Sequence, residues 1–153
     1  MEKAIQLACK GAQWGGPFGA VIFIDGKIVG ESTNYANPHH DPTAHAEIMA
    51  IRDACKKLKT RSLKGAVMYS SCEPCPMCKG AIQWAQIDKV FYAAKEKYAQ
   101  KELGSFMKED VVFKAIPNPD KNKPFEIAKK YKKAGGVTTN DPVTKKKMER
   151  MKN

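Results

Sequence analysis

The chain has 153 residues, 42% hydrophobic and 28% charged, and its 27 lysines and arginines against 16 aspartates and glutamates leave a formal charge of 27 − 16 = +11. That balance predicts one globular domain able to bury a core, and it excludes disorder, collagen and repeat arrays. The longest apolar runs, such as AVIFI at Ala20 to Ile24, fall far short of the roughly 18 residues of a membrane span, and Met1-Glu2-Lys3 leads into no secretory hydrophobic segment, so a cytoplasmic protein with no membrane partner is expected.

From Glu2 to Ala12, apolar Ala4, Ile5, Leu7, Ala8 and Ala12 recur at helical spacing, and Gly15-Gly16-Pro17 stops the helix. Phe18 to Ile24 and Lys27 to Glu31 read as antiparallel strands joined by Asp25-Gly26, a dipeptide suited to the positive φ angles of a tight hairpin. Asn34 to Pro42 reads as a loop, with Asp41 as N-cap and Pro42 in the first turn of a helix running to about Leu58. Ala66 to Ser71 predicts a short buried strand, Met77 to Gln86 a helix and Lys89 to Ala94 the next strand. This alternation favours two β-α-β crossovers after the hairpin, hence a mixed sheet with helices on its faces. Further on come a helix near Tyr98 to Glu102, a strand from Val111 to Ile116, a proline-rich loop over Ile116 to Pro124, and a basic amphipathic helix broken by Gly135-Gly136.

Charge divides unevenly along these elements. Residues 1–94 hold 11 basic and 8 acidic side chains, net +3, and residues 95–153 hold 16 and 8, net +8. Runs such as Lys129-Lys130 with Lys132-Lys133 fit a solvated helix face, with attraction of nucleic-acid phosphates as the competing reading.

Five cysteines, three of them between Cys72 and Cys78, suit metal binding or catalysis better than a disulfide framework. His45-Ala46-Glu47 is followed 75 − 45 = 30 positions later by Pro74-Cys75-Pro76-Met77-Cys78, and each half opens a predicted helix. Zinc takes tetrahedral N and S ligands, and a catalytic site commonly leaves one of its positions for water. His45, Cys75 and Cys78 supply three ligands at helix N-termini that favour thiolates, while Glu47, two residues after the histidine, can face the bound water without ligating. Cys72 ends the preceding strand and reads as buried packing. His39 and His40 read as exposed loop residues, with a fourth-ligand role as the alternative.

HAE followed by PCPMC resembles the H-x-E and P-C-x-x-C signature of the zinc-dependent nucleobase deaminases. More closely, GGPFGAVI (Gly15 to Ile22), DPTAHAEIMAIRDAC (Asp41 to Cys55) and SCEPCPMCKGAIQWA (Ser71 to Ala85) resemble the bacterial guanine deaminases, over about Gly15 to Ala94. The resemblance implies a three-layer α/β cytidine-deaminase-like fold, with a mixed five-stranded sheet between helices. It also implies one deaminase domain over residues 1–153 and a homodimer, with the basic segment from about residue 117 exchanged between subunits. It implies one Zn2+ per chain with a bound water, held by His45, Cys75 and Cys78, and Glu47 as the proton shuttle. Phe18, Asn34, Ala46 and Trp84 match positions that contact the substrate. The implied reaction is hydrolysis of the C-N bond of a free aminopurine, most simply guanine to xanthine and ammonia.

Two family features are displaced. Ser105-Phe106 follows Glu102-Leu103-Gly104 where an acidic pair belongs, leaving Glu102, Glu109 or Asp110 as substitutes, and the terminal MERMKN offers only Glu149. The alternatives are a transfer-RNA adenosine deaminase, a deaminase of a pterin, aminotriazine or cytosine, and a zinc-stabilised nucleic-acid-binding module without activity.

Overall fold

The computed structural model describes residues 1–104, 111–114, 117, 119–120 and 122–133. Helix α1 (Glu2–Gly11) runs into a 3-10 turn at Ala12–Trp14 and is followed by the hairpin β1 (Gly19–Ile24) and β2 (Lys27–Thr33). The hairpin turns as its sequence predicts, with φ of 49° at Asp25 and 74° at Gly26. Then come α2 (Ala36–His39), α3 (Ala46–Leu58), β3 (Val67–Cys72), α4 (Pro76–Trp84), β4 (Lys89–Ala94), α5 (Glu96–Leu103) and α6 (Lys123–Lys133).

The strands lie in the order β2-β1-β3-β4, with β1 antiparallel to both neighbours and β3 parallel to β4. β2 and β3 therefore run the same way with β1 between them, so α3 is a crossover that skips one strand and α4 one that joins neighbours. The mixed sheet agrees with the sequence. Its strand count does not: four strands are present among the described residues, where five were expected. The stretch expected to supply the fifth departs from strand at Val111–Lys114, which stand exposed (Phe113 at 92%) with no ladder partner, and residues 115–116 lie outside the described set. Apolar, β-branched composition makes a strand only where a neighbour takes its backbone groups.

One face of the sheet is closed. Ala20, Ile22 and Met68 point at α3 and α4 and pack with Ala50, Leu63 and Ile82 into the main core. The approach is close because small residues face each other: a Cβ on Gly30 would strike the Ala50 carbonyl and the Ala54 side chain. On the opposite face, α1 seats Ala4 and Ala8 over Gly19 in the same manner, but it leaves the β3–β4 side bare. There Phe23 meets the Tyr69 ring edge-on at 5.6 Å, Tyr69 stacks on Phe91 at 5.4 Å, and Phe91 stays 50% exposed.

The helix expected to start at Asp41-Pro42 begins at Ala46 instead. Asp41 caps a turn of its own, its Oδ1 accepting the Thr43 backbone N–H at 2.8 Å and the Thr43 hydroxyl at 2.6 Å. The loop over Asn34 to Pro42 also holds the one-turn α2. No helix among the described residues is long and apolar enough to cross a membrane. Gly135-Gly136 and Glu149 lie outside the described residues.

Candidate active site

The ends of β2 and β3, the start of β1 and the N-termini of α3 and α4 converge at one edge of the sheet, where open α/β sheets hold their ligands. His45 and Cys75 are the N-cap residues of α3 and α4, both in extended backbone (φ −66°, ψ 155° and φ −66°, ψ 169°). Their carbonyls accept the first helical bonds, from Met49 and Lys79, each at 2.9 Å. Each side chain therefore projects back from a helix end whose free N–H groups favour negative charge. One turn further along α4, Cys78 is fully buried.

The Cys75 and Cys78 sulfurs each lie 3.6 Å from His45 Nδ1, and the three ligand atoms fall within 4.8 Å of one another. Zinc–ligand bonds of about 2.3 Å to sulfur and about 2.0 Å to nitrogen at tetrahedral angles separate N from S by about 3.5 Å, so the spacing fits a zinc ion. The protonation pattern points the same way. Cys75 is held as a thiolate, its pKa lowered to about 4 because the Cys78 thiol and His45 both hydrogen-bond it. Cys78 is pushed up by the neighbouring Cys75 thiolate first, with burial and the Glu47 carboxylate adding to the effect. The Cys75 hydrogen bond likewise raises His45. A divalent cation bound between them would favour the ionised form of both thiols.

Glu47, on the second residue of α3, is 6% exposed. Its Oε1 accepts the Ser70 hydroxyl at 3.1 Å and its Oε2 faces Cys78 Sγ at 3.5 Å. The carboxylate thus stands against the ligand triad with its outer oxygen toward it, and burial raises its pKa above the ordinary glutamate value. A buried carboxylate oriented by Ser70 and facing the ligand triad is placed to take and return protons.

Phe18 is half-buried at the start of β1, and Asn34, 7% exposed, donates its backbone N–H to the Phe18 carbonyl at 3.0 Å. Tyr35 N–H bonds the Ala44 carbonyl at 2.9 Å, which brings Asn34 alongside His45. Ala46 is fully buried in the core cluster, with no surface open to a ligand. Trp84 closes the end of α4 and is 89% exposed, away from any wall formed by the described residues. Cys72 is buried at the end of β3, and His39 and His40 are exposed and outside the triad, as their loop chemistry suggests. Glu102 is exposed on α5, while Glu109 and Asp110 lie outside the described residues. A groove of about 440 Å³ crosses the β2 edge between α1 and α3, lined by Lys10, Glu31, Tyr35 and Arg52 among others, and no member of the triad borders it.

Two contributors escaped the sequence reading. Ser70 orients Glu47, and Trp14 donates its indole N–H to the Asn34 carbonyl at 2.6 Å. For Ser70 a signal existed: a serine at an inward position of a buried strand needs a polar partner inside.

The family described as the cytidine and deoxycytidylate deaminase zinc-binding region matches residues 1–94. Guanine deaminase of Bacillus subtilis (strain 168) is 49% identical over 121 residues, 78% of this chain and 76% of that protein. A tRNA-specific adenosine deaminase of Aquifex aeolicus is 42% identical over 81 residues, 53% of this chain and 54% of its own length. Among solved structures, an X-ray structure of guanine deaminase from Bacillus subtilis aligns with a TM-score of 0.77 at 41% identity, covering 84% of this chain and 90% of that one.

Proposed function

We propose, on the premise that the chain belongs to the cytidine and deoxycytidylate deaminase zinc-binding family, that this zinc-dependent deaminase acts on a free aminopurine, guanine, hydrolysing it to xanthine and ammonia. The observation that carries the reading is Glu47 itself. A purely structural zinc site has no use for a buried carboxylate held at 3.1 Å by Ser70 with its second oxygen toward the ligand triad. The identity to a guanine deaminase over most of both chains supports the choice of base.

His45, Cys75 and Cys78 hold the metal in this reading. Bound zinc supplies Lewis acidity that brings the pKa of water toward about 7. Glu47 Oε2 takes the proton released as water adds to the ring carbon bearing the amino group and passes it to the adjacent ring nitrogen. The same carboxylate then takes the proton of the added hydroxyl as the C=O forms and gives it to the departing amine, so guanine and water become xanthine and ammonia with no other reactant. Phe18 lies against one flat face of the base, and Asn34 hydrogen-bonds its edge. Trp84, exposed in the single chain, becomes a pocket wall when a second subunit or the C-terminal segment covers it. The working form is a cytoplasmic homodimer of one-domain subunits, with the segment over residues 117–153 exchanged to close the pocket.

The test is ammonia release by the zinc-loaded protein from guanine, guanosine, adenine, cytosine, a pterin, an aminotriazine and an unmodified transfer RNA, with zinc measured in the same sample. About one zinc per chain and turnover of guanine above the other bases are expected. Turnover of the RNA alone, falling steeply as salt rises, would move the protein to the transfer-RNA deaminases, the reading that its +11 charge favours.

A further inference from the structure

Every hydrogen-bonding group of Asn34 except one is spoken for. Its N–H goes to the Phe18 carbonyl (3.0 Å), its own carbonyl accepts the Trp14 indole N–H (2.6 Å), and its Oδ1 accepts the Ala36 N–H (2.8 Å). A backbone N–H needs an acceptor, so the amide oxygen is the atom turned to Ala36 and the amide NH2 points the other way. Among the described residues no acceptor faces that NH2. The residue is 7% exposed, set against Gly16 on one side and tied through Tyr35 to Ala44, which precedes His45, and its NH2 is the part left open to solvent.

Trp14 anchors this arrangement from outside the site. Its 3-10 turn ends at Gly15, whose φ of 81° turns the chain back, and Asn37 Nδ2 bonds the Trp14 carbonyl at 2.8 Å. The indole stacks on Tyr35 at 5.6 Å, with 17° between the planes, and Tyr35 stacks in turn on His39 at 4.8 Å and 9°. The stack braces Tyr35, the residue that follows Asn34, against both Trp14 and His39. Phenylalanine could stack as well, but it has no ring N–H to give the Asn34 carbonyl.

We propose that Trp14 is a positioning residue for the deamination. By donating to the Asn34 carbonyl and stacking on Tyr35, it fixes the Asn34 amide so that two N–H donors and no acceptor meet the substrate. The clamp thereby selects heterocycles that present a ring nitrogen or carbonyl acceptor at that edge. Its kinetic expression rests on the free-base reading above; its structural expression does not.

The test compares Trp14→Phe, Asn34→Ala and the double variant as zinc-loaded full chains acting on guanine. Trp14→Phe keeps a stacking ring and loses the donor, so KM should rise about three- to ten-fold with kcat within about two-fold and zinc retained. Asn34→Ala should raise KM further, and adding Trp14→Phe to it should change nothing more, because the tryptophan acts through that amide. An unchanged KM overturns the proposal, as does an effect that persists in full beside Asn34→Ala, or a loss of zinc and kcat together at constant KM. Hydrogen exchange at the Ala36 amide reads the same clamp without substrate. It should accelerate about ten-fold in Trp14→Phe, and in Tyr35→Leu should the first variant not fold, because the amide's acceptor is then loosely held. Unchanged exchange overturns the proposal. A wild-type protein that leaves guanine untouched overturns the choice of base, and the exchange result then decides the clamp alone.

Discussion

The two faces of the sheet are built from the same strands and end in opposite states. On the face covered by α3 and α4, Ile22 and Met68 are fully buried and every helix start carries a group aimed at one point. On the other, α1 covers β1 and part of β2, and the row Phe23, Tyr69, Phe91 faces outward. The difference teaches where precision was required. In the proposed reaction the metal ligands and the carboxylate that moves protons must be held to fractions of an ångström, and His45, Cys75, Cys78 and Glu47 stand on helices locked against a packed core. The bare aromatic row asks only for an apolar cover.

The largest effect that separates the faces is chemical. Glu47→Gln keeps the shape and the Ser70 contact of the closed face but cannot accept a proton, so guanine turnover should fall about 10²- to 10⁴-fold while zinc content holds. Steady-state rates with elemental analysis on one preparation check it. Turnover near wild type would make Glu47 a packing residue and reduce the closed face to a structural zinc site.

Next comes packing. Met68→Ala, fully buried between β1 and α3, should lower the unfolding free energy by about 2–5 kcal/mol, because the removed atoms leave a cavity that locked helices cannot fill. Denaturant unfolding of the zinc-loaded protein measures it. A cost below about 1 kcal/mol would mean the face is less rigid than its burial implies.

Much of this face was legible in the sequence because its signals are local. Spacing alone put His45, Cys75 and Cys78 at helix starts, and the hairpin, α4 and β4 follow from turn dipeptides and apolar runs. What failed depended on competition or on distance. Asp41-Pro42 has the chemistry of a helix start, but Asp41 spends its carboxylate on Thr43, and α3 begins four residues later behind an extended His45. Val111 to Lys114 carry strand-forming residues and find no ladder. Trp14 and Asn34 are 20 positions apart, so no periodicity joins them. The open face was unreadable for a similar reason: the alternation of β3 marks Tyr69 as outward of the core, but nothing local says whether another element covers it.

A smaller effect concerns what the closed face costs without its metal. Burial raises the Glu47 pKa, so protonated Glu47 suits the folded state and ionised Glu47 opposes it. For a group whose pKa is raised on folding, the contribution is fully present below the unfolded value of about 4.3 and is lost as pH rises through the folded value. Zinc-stripped wild type should therefore lose thermal stability from pH 4 to pH 7 more steeply than zinc-stripped Glu47→Gln. At pH 7 the variant should unfold about 4 °C higher, roughly what 1 kcal/mol gives in a chain of this size. Parallel slopes for the two proteins would show that the carboxylate is not desolvated in the metal-free fold.

The smallest expected effect falls on the open face and sharpens the comparison most. Fully burying a phenylalanine side chain stabilises a fold by about 1.5–3 kcal/mol. Phe91 is half exposed, touches Tyr69 on one side only and encloses no space, so removing its ring leaves neither the full transfer loss nor a cavity. Phe91→Ala should therefore cost under about 1 kcal/mol at low protein concentration, a fraction of the Met68→Ala cost on the other side of the same strand pair. The two substitutions also differ in how they respond to dilution. A core residue loses the same free energy at any concentration, whereas a residue on a face covered by a second chain loses more as the protein is concentrated and the cover forms. Unfolding of both variants at low and high micromolar concentration reads this directly. If the Phe91→Ala cost matches Met68→Ala at every dilution, the row is already buried by residues of its own chain, and the two faces are alike.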